Sequence, residues 1–408
     1  MHILAFFIFF YFVSIAFCKV EYRNKVSWLL SMSLVMIIHV FIDSHNVPDL
    51  PGYIEAWQHI AKGKSTFESA SGYYKMFYGY YWLNLLLSGI SGSVYFFKLV
   101  IGLIISLPNY ILFYKFCKKN LLIPSSIYLI SCTQSMFALR QYCAVSMCII
   151  ISIILVKDVE NTRKWLCSVL LFVYACLLHP TALFFGLAFI LYIFRNSKLI
   201  ILMFFPVFSL MVYILYPIIV VSFSENVSGY EIYAMKEGVK NSTTSMIFCL
   251  TIFTYLFFLY FDRKRKYKNK KKMVVYMLSQ TRIKLLIIQI LKLLKKKSCK
   301  LSFVNSLNII CDNKYIFAPK NMEEFWFVGL YSIGGAFMIP FIWLPGDDVL
   351  PRLLLYYSFA APLVYVYIGN HIYNKVLRFV YYTLVIALYI YLPFFGANSR
   401  IVDYSLSI

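Results

Sequence analysis

The sequence predicts an all-α, polytopic integral membrane protein, on three observations. Of the 408 residues, 61% are hydrophobic, and the mean hydropathy is +0.74; soluble domains are markedly more polar. Apolar stretches of about 17–25 residues recur along nearly the whole chain, each long enough to cross a bilayer as a helix. These runs do not alternate apolar with polar residues, as the strands of a membrane barrel would. Helices are then the simplest way to satisfy backbone hydrogen bonds in lipid.

The first run, Met1 to Cys18, lacks a basic leading segment, and Phe17 stands where a cleavable signal would carry a small residue. It reads as a retained helix with its N-terminus outside. Further helices are expected at about 26–42, 96–114, 121–139, 141–156, 165–178, 181–194, 199–222, 243–261, 325–343, 353–370 and 379–395, giving about 11–12 spans in a single membrane domain over 1–408. The pair 165–178 and 181–194 is short enough to form a shallow hairpin instead of two full spans. No internal repeat is evident, so the inverted-repeat signature of transporters is missing.

Charge fixes the expected orientation. The chain carries 39 Lys and Arg against 17 Asp and Glu, a formal charge of +22. In a membrane protein this excess serves topology, because basic loops stay cytoplasmic; no nucleic-acid partner is needed to explain it. The basic short loops are 19–25, 115–119, 157–164, 195–198 and 371–378, and the helix list puts all five on one side together with 262–324. The last segment contains Arg263-Lys264-Arg265-Lys266 and an amphipathic stretch from Ile283 to Lys297. It reads as a basic helix lying on anionic lipid. The opposite face then holds 43–95, 223–242 and 344–352. Within 43–95, the segment Tyr78 to Leu87 is short and rich in Tyr and Trp, which suits an interfacial or re-entrant helix.

Three polar sites interrupt the apolar pattern. Arg140-Gln141 lies between the runs Leu122–Leu139 and Tyr142–Val156. A charge at the bilayer centre costs roughly 2.5–3.5 kcal/mol on insertion scales, so a retained one calls for a function. His179 precedes Pro180, which breaks the helix and leaves the histidine at a turn. The third site, Asp347-Asp348 with Arg352 and Tyr356, opens a helix. Asp43, at the exit of the second helix, joins them on the expected outer face. Plainer readings stand beside these: Arg140 snorkelling from a helix end, His179 as a bonded structural residue, and Arg352 paired with Asp347 or Asp348. The ten cysteines form no CxxC pair, and there is no HxxxH, so neither a metal nor another cofactor is expected.

Two arginines at headgroup depth suit a pyrophosphate, which guanidinium groups grip through a fork of donors. A nearby His or Asp can take a proton from an attacking sugar hydroxyl. Gln141, Asp43, Asp347, Asp348 and Tyr356 are the candidate substrate-binding residues.

At these residues the sequence resembles the EpsG family of Wzy-like polysaccharide polymerases. Leu139-Arg140-Gln141 with Ala144 resembles the family's "(I/L)RQ..A" motif. His179-Pro180-Thr181-Ala182 resembles "FH.SA", Tyr78 to Leu87 resembles "G(Y/F)..L..L", and Arg352 to Tyr357 resembles "R...YF". The resemblance implies a GT-C-like helical bundle with external loops, in the inner membrane of a bacterium. It implies a polymerase that joins undecaprenyl-pyrophosphate-linked repeat units at the outer face into O-antigen, capsule or exopolysaccharide. Arg140, Arg352 and His179 would be the catalytic set, with the first two on pyrophosphate. Partners would be the lipid-linked donor and acceptor, membrane lipid, and a chain-length regulator and flippase of the same route. Two other classes remain open at the level of residues: a flippase of lipid-linked sugars, and a membrane O-acyltransferase that also uses an intramembrane His and Arg.

Overall fold

A computed structural model describes residues 3–44, 47, 49–63, 77–136, 138–156, 162–193, 322–343, 349–372 and 374–395. Every regular element among them is a helix. The first nine α-helices are α1 (Ile3–Phe17), α2 (Arg23–Phe41), α3 (Leu50–Ala61), α4 (Tyr78–Ile90), α5 (Val94–Phe116), α6 (Leu122–Ser131), α7 (Leu139–Leu155), α8 (Thr162–Leu178) and α9 (Gly186–Ile193). Short 3₁₀ turns at Cys132–Met136 and Pro180–Phe185 join α6 to α7 and α8 to α9. The remaining four are α10 (Met322–Trp343), α11 (Val349–Ser358), α12 (Ala361–His371) and α13 (Lys375–Phe395). The expected helices at 199–222 and 243–261, and the basic segment up to 321, lie outside the described residues.

The long helices α2 and α5 are apolar and long enough to cross a membrane, and they pack antiparallel. Trp28 Nε1 donates to the Tyr110 carbonyl (2.9 Å) near one end, and Lys98 Nζ donates to the Ile42 carbonyl (2.7 Å) at the other. Between them Ser31 bonds the Tyr110 hydroxyl (2.6 Å) and donates to the Ser125 carbonyl of α6 (2.9 Å). Small hydroxyl residues let backbones approach closely and carry hydrogen bonds between helices without a bulky side chain. Tyr110, Phe113 and Tyr128 meet edge to face in the same seam.

This packing gives the bundle two chemically different ends. At one end Asn24 donates to the Lys119 carbonyl (3.0 Å), and Asn120 donates to the Tyr382 hydroxyl (3.0 Å). The turns 19–22 and 117–121 and the start of α13 are thereby gathered there, with Lys19, Lys118, Lys119 and Lys375 among their residues. Glu324, at the start of α10, meets His371 at the end of α12 (2.7 Å) near that end, where Phe116 also packs on Phe327. The opposite end holds Ile42 and Lys98, the 3₁₀ turn Cys132–Met136, Arg140 and His179. The outer surface carries large apolar side chains, such as Phe9 and Phe17 of α1 and Leu377, Phe379 and Leu384 of α13; a face of this kind suits lipid.

Three sequence expectations change. The run 121–139 is not one helix: α6 stops at Ser131, and the polar trio Thr133-Gln134-Ser135 turns as 3₁₀, with Ser135 bonded to His39 (3.1 Å). The run 353–370 is split into α11 and α12 at Phe359-Ala360. Pro362, which has no N–H to give, opens the second piece. Finally, the loop 43–95 contains a second helix, α3, whose Leu50, Tyr53, Ile54, Trp57 and Ile60 form one buried face.

Candidate functional site

Arg140 is the second residue of α7. The helix begins abruptly after the 3₁₀ turn, and its N-cap, Ala138, offers no side-chain cap to the first N–H groups. Uncapped N–H groups make a helix start electropositive, and Arg140 adds a full charge to it. The guanidinium lies over aromatic rings: its central carbon is 3.8 Å from the centre of the Phe77 ring and 5.3 Å from that of Tyr53. Contact with aromatic faces favours a cation, and a guanidinium carries a planar fork of N–H donors whose shape matches a phosphate. Tyr53 is itself braced by Tyr80 of α4, edge to face at 6.0 Å, and α3 is anchored by Trp57 stacked on Phe97 of α5 at 5.1 Å. Thus Tyr53 of α3 and Phe77, just before α4, form an aromatic wall against which Arg140 of α7 lies. Gln141, the next residue, is buried in the bundle.

His179 ends α8. Its backbone is extended (φ −157°, ψ 119°), as expected of a residue before proline, and Pro180 starts the following 3₁₀ turn. The ring packs on Phe77, with centroids 5.3 Å apart, so Arg140 and His179 share one aromatic neighbour. The imidazole Nδ1 is 2.7 Å from the Thr181 hydroxyl. That hydroxyl lies 3.0 Å from the hydroxyl of Tyr356, which itself is 3.4 Å from Nδ1. Tyr356 comes from α11, and the adjacent Tyr357 donates to the Phe184 carbonyl. These bonds tie α11 to the histidine turn. Close contact also fixes α4: a Cβ on Gly79 would stand 2.9 Å from the Leu177 backbone carbon, so only glycine permits this approach next to Phe77.

The other expected site residues fall as follows. Asp43, half-buried after α2, interacts electrostatically with Lys98. Tyr356 is fully buried, with its hydroxyl among Thr181 and His179. Arg352 lies on α11 four residues before Tyr356; its side chain lies outside the described part, as do Asp347 and Asp348 altogether. The structure adds residues that sequence reasoning passed over: Phe77, Tyr53, Thr181, and the buried Lys98. Of these, Lys98 had a visible signal, as the lone cation within the apolar run 96–114; the aromatics had none in a chain with 38 Phe and 35 Tyr. Among the described residues no group of His, Cys, Asp and Glu has the arrangement of a metal site.

A helical bundle with apolar outer faces, an arginine over aromatic rings and a bonded histidine at one end, and basic turns at the other, defines an all-helical protein of the membrane class. The model of the EpsG family matches residues 28–291, and the chain belongs to that family. This makes it a polysaccharide-related membrane protein of the Wzy-like type, from a family associated with glycosyltransferase-like polymerases. No curated protein and no solved structure matches the chain.

Proposed function

We propose that this protein is a polymerase of lipid-linked oligosaccharide repeat units. The donor is a growing glycan on undecaprenyl pyrophosphate and the acceptor a single lipid-linked unit. An acceptor hydroxyl attacks the donor's anomeric carbon, the bond from that carbon to the pyrophosphate oxygen breaks, and undecaprenyl pyrophosphate leaves. Arg140 binds the departing pyrophosphate, and stabilising that charge is the larger catalytic contribution. His179 accepts the hydroxyl proton. Arg352 is a second phosphate ligand, while Gln141, Asp43, Asp347 and Asp348 bind the sugars. The observation that carries this reading is the shared ring of Phe77, which brings a cation suited to pyrophosphate and a proton acceptor to one place.

The reading extends to the setting. The bundle has 11–12 spans in the bacterial inner membrane, with the basic turns in the cytoplasm and the Arg140 end outward, where lipid-linked units meet a chain-length regulator and arrive from a flippase. Segregation of the basic turns from Arg140 and His179 supports that orientation.

The test is deletion of the gene in its host, followed by gel analysis of the surface glycan. The ladder is expected to collapse to a single repeat unit. The wild-type gene restores it, and Arg140→Ala or His179→Ala, produced at equal protein level, does not. Lipid-linked units trapped inside the cell would instead indicate a flippase. An intact ladder with altered acetylation would indicate an acyltransferase.

A further inference from the structure

From the bonds at His179 we infer that Thr181, backed by Tyr356, is a positioning residue that fixes the tautomer of His179; this rests on the proposal that His179 accepts the acceptor's proton. The Thr181 hydroxyl stands 2.7 Å from Nδ1 and 3.0 Å from the Tyr356 hydroxyl. A neutral imidazole carries one proton, and the bond made by one nitrogen decides where it sits. If Nδ1–H donates to Thr181 Oγ1, the lone pair is committed to Nε2, which then takes the proton. The arrangement needs no change when the ring becomes imidazolium, since Nδ1–H donates to the same oxygen in both states. The opposite orientation, with the threonine hydroxyl donating to Nδ1, would have to reverse before the ring could serve as a base through that nitrogen.

Local structure supports a dedicated role. His179 is only 7% exposed and Thr181 5% exposed, so water does not substitute freely for the hydroxyl. The backbone at the turn is held by His179 N–H donating to the Ala175 carbonyl and Ala182 N–H donating to the His179 carbonyl, both at 2.9 Å. With the ring packed on Phe77 as well, the imidazole has its position set by the turn and its proton set by Thr181. Tyr356, 3.4 Å from Nδ1, can hold the same nitrogen more weakly.

The test uses the full-length protein in lipid nanodiscs with lipid-linked repeat units extracted from its host. Thr181→Val keeps the shape and removes the hydroxyl. It is expected to lower kcat about tenfold or more, since general acid–base catalysis contributes roughly 10²–10⁴-fold, with KM unchanged. Thr181→Ser restores the hydroxyl and should return kcat to near the wild-type value. Tyr356→Phe should cost less alone and deepen the Thr181→Val defect. A fully active Thr181→Val, beside an inactive His179→Ala, overturns the positioning role and leaves the function standing. Equal loss in the Ser and Val variants also overturns it, because the hydroxyl would then not be what matters. A fully active His179→Ala overturns the functional reading itself.

Discussion

The Arg140 guanidinium lies 3.8 Å from the centre of the Phe77 ring. Charge alone does not need this arrangement; a lysine would supply it. A guanidinium in this place offers a planar fork of donors and a flat face toward the ring, neither of which an ammonium has. Arg140→Lys is therefore expected to behave like Arg140→Ala in restoring the glycan ladder, despite keeping its charge. Phe77→Leu removes the aromatic face while preserving bulk. A cation–π contact is worth about 0.5–2 kcal/mol, so polymerisation should slow roughly 2- to 30-fold. Phe77→Tyr should be tolerated. A fully active Arg140→Lys, scored by ladder length at equal protein level, would mean that the stack is incidental.

Gly79 offers a sharper steric test of the same wall. A Cβ there would meet Leu177 and Leu178 backbone atoms at 2.9–3.0 Å, and backbone cannot rotate aside. Gly79→Ala should push α4 off α8 and cost about 1–3 kcal/mol, as overpacking usually does. Because Phe77 immediately precedes this helix, activity should fall with stability. Gly89, in the same helix, has nothing within 4 Å of an added Cβ, so Gly89→Ala should be neutral or stabilising by up to ~1 kcal/mol. Thermal unfolding of both variants in detergent separates the outcomes. Equal melting temperatures would show that α4 does not need the close approach.

Hydropathy located the apolar helices well where the apolar run and the helix coincide. The expected 26–42, 96–114, 141–156 and 165–178 differ from α2, α5, α7 and α8 by no more than about three residues at any end, the usual uncertainty. It failed where a helix breaks without leaving the apolar interior. The 3₁₀ turn at Cys132–Met136 is stabilised by Ser135 bonding His39 across the bundle, a tertiary contact that no local pattern contains. The split before Pro362 and the amphipathic face of α3 were present in the sequence as a proline and a spacing, and a scan for long apolar runs overlooks both. At the site, Arg140 and His179 stood out because polar groups are costly in such surroundings. Phe77 and Thr181 did not, because an aromatic or hydroxyl residue in this chain is ordinary until its neighbours are known.

The last prediction concerns the opposite end, where His371 Nε2 and Glu324 Oε1 lie 2.7 Å apart with both side chains nearly inaccessible. Glu324 sits in the first turn of α10 and His371 in the last turn of α12. Glu324 therefore occupies the helix end that favours a negative charge. Glu324→Ala removes the acceptor and leaves a buried polar ring behind. Loss of a bond to a charged group should destabilise the protein by about 1.5–3 kcal/mol. Glu324→Gln keeps an acceptor oxygen and should cost less. Replacing both partners by leucine removes the bond and the desolvation penalty together, so the double variant should be more stable than Glu324→Ala. None of these changes touches the Arg140 end, so glycan polymerised per molecule of folded protein should stay at the wild-type level. Melting temperatures of the three variants, paired with the ladder assay, decide the matter. A double leucine variant no more stable than Glu324→Ala would show that the pair's worth is packing, and lost activity at full stability would show that this end takes part in the reaction.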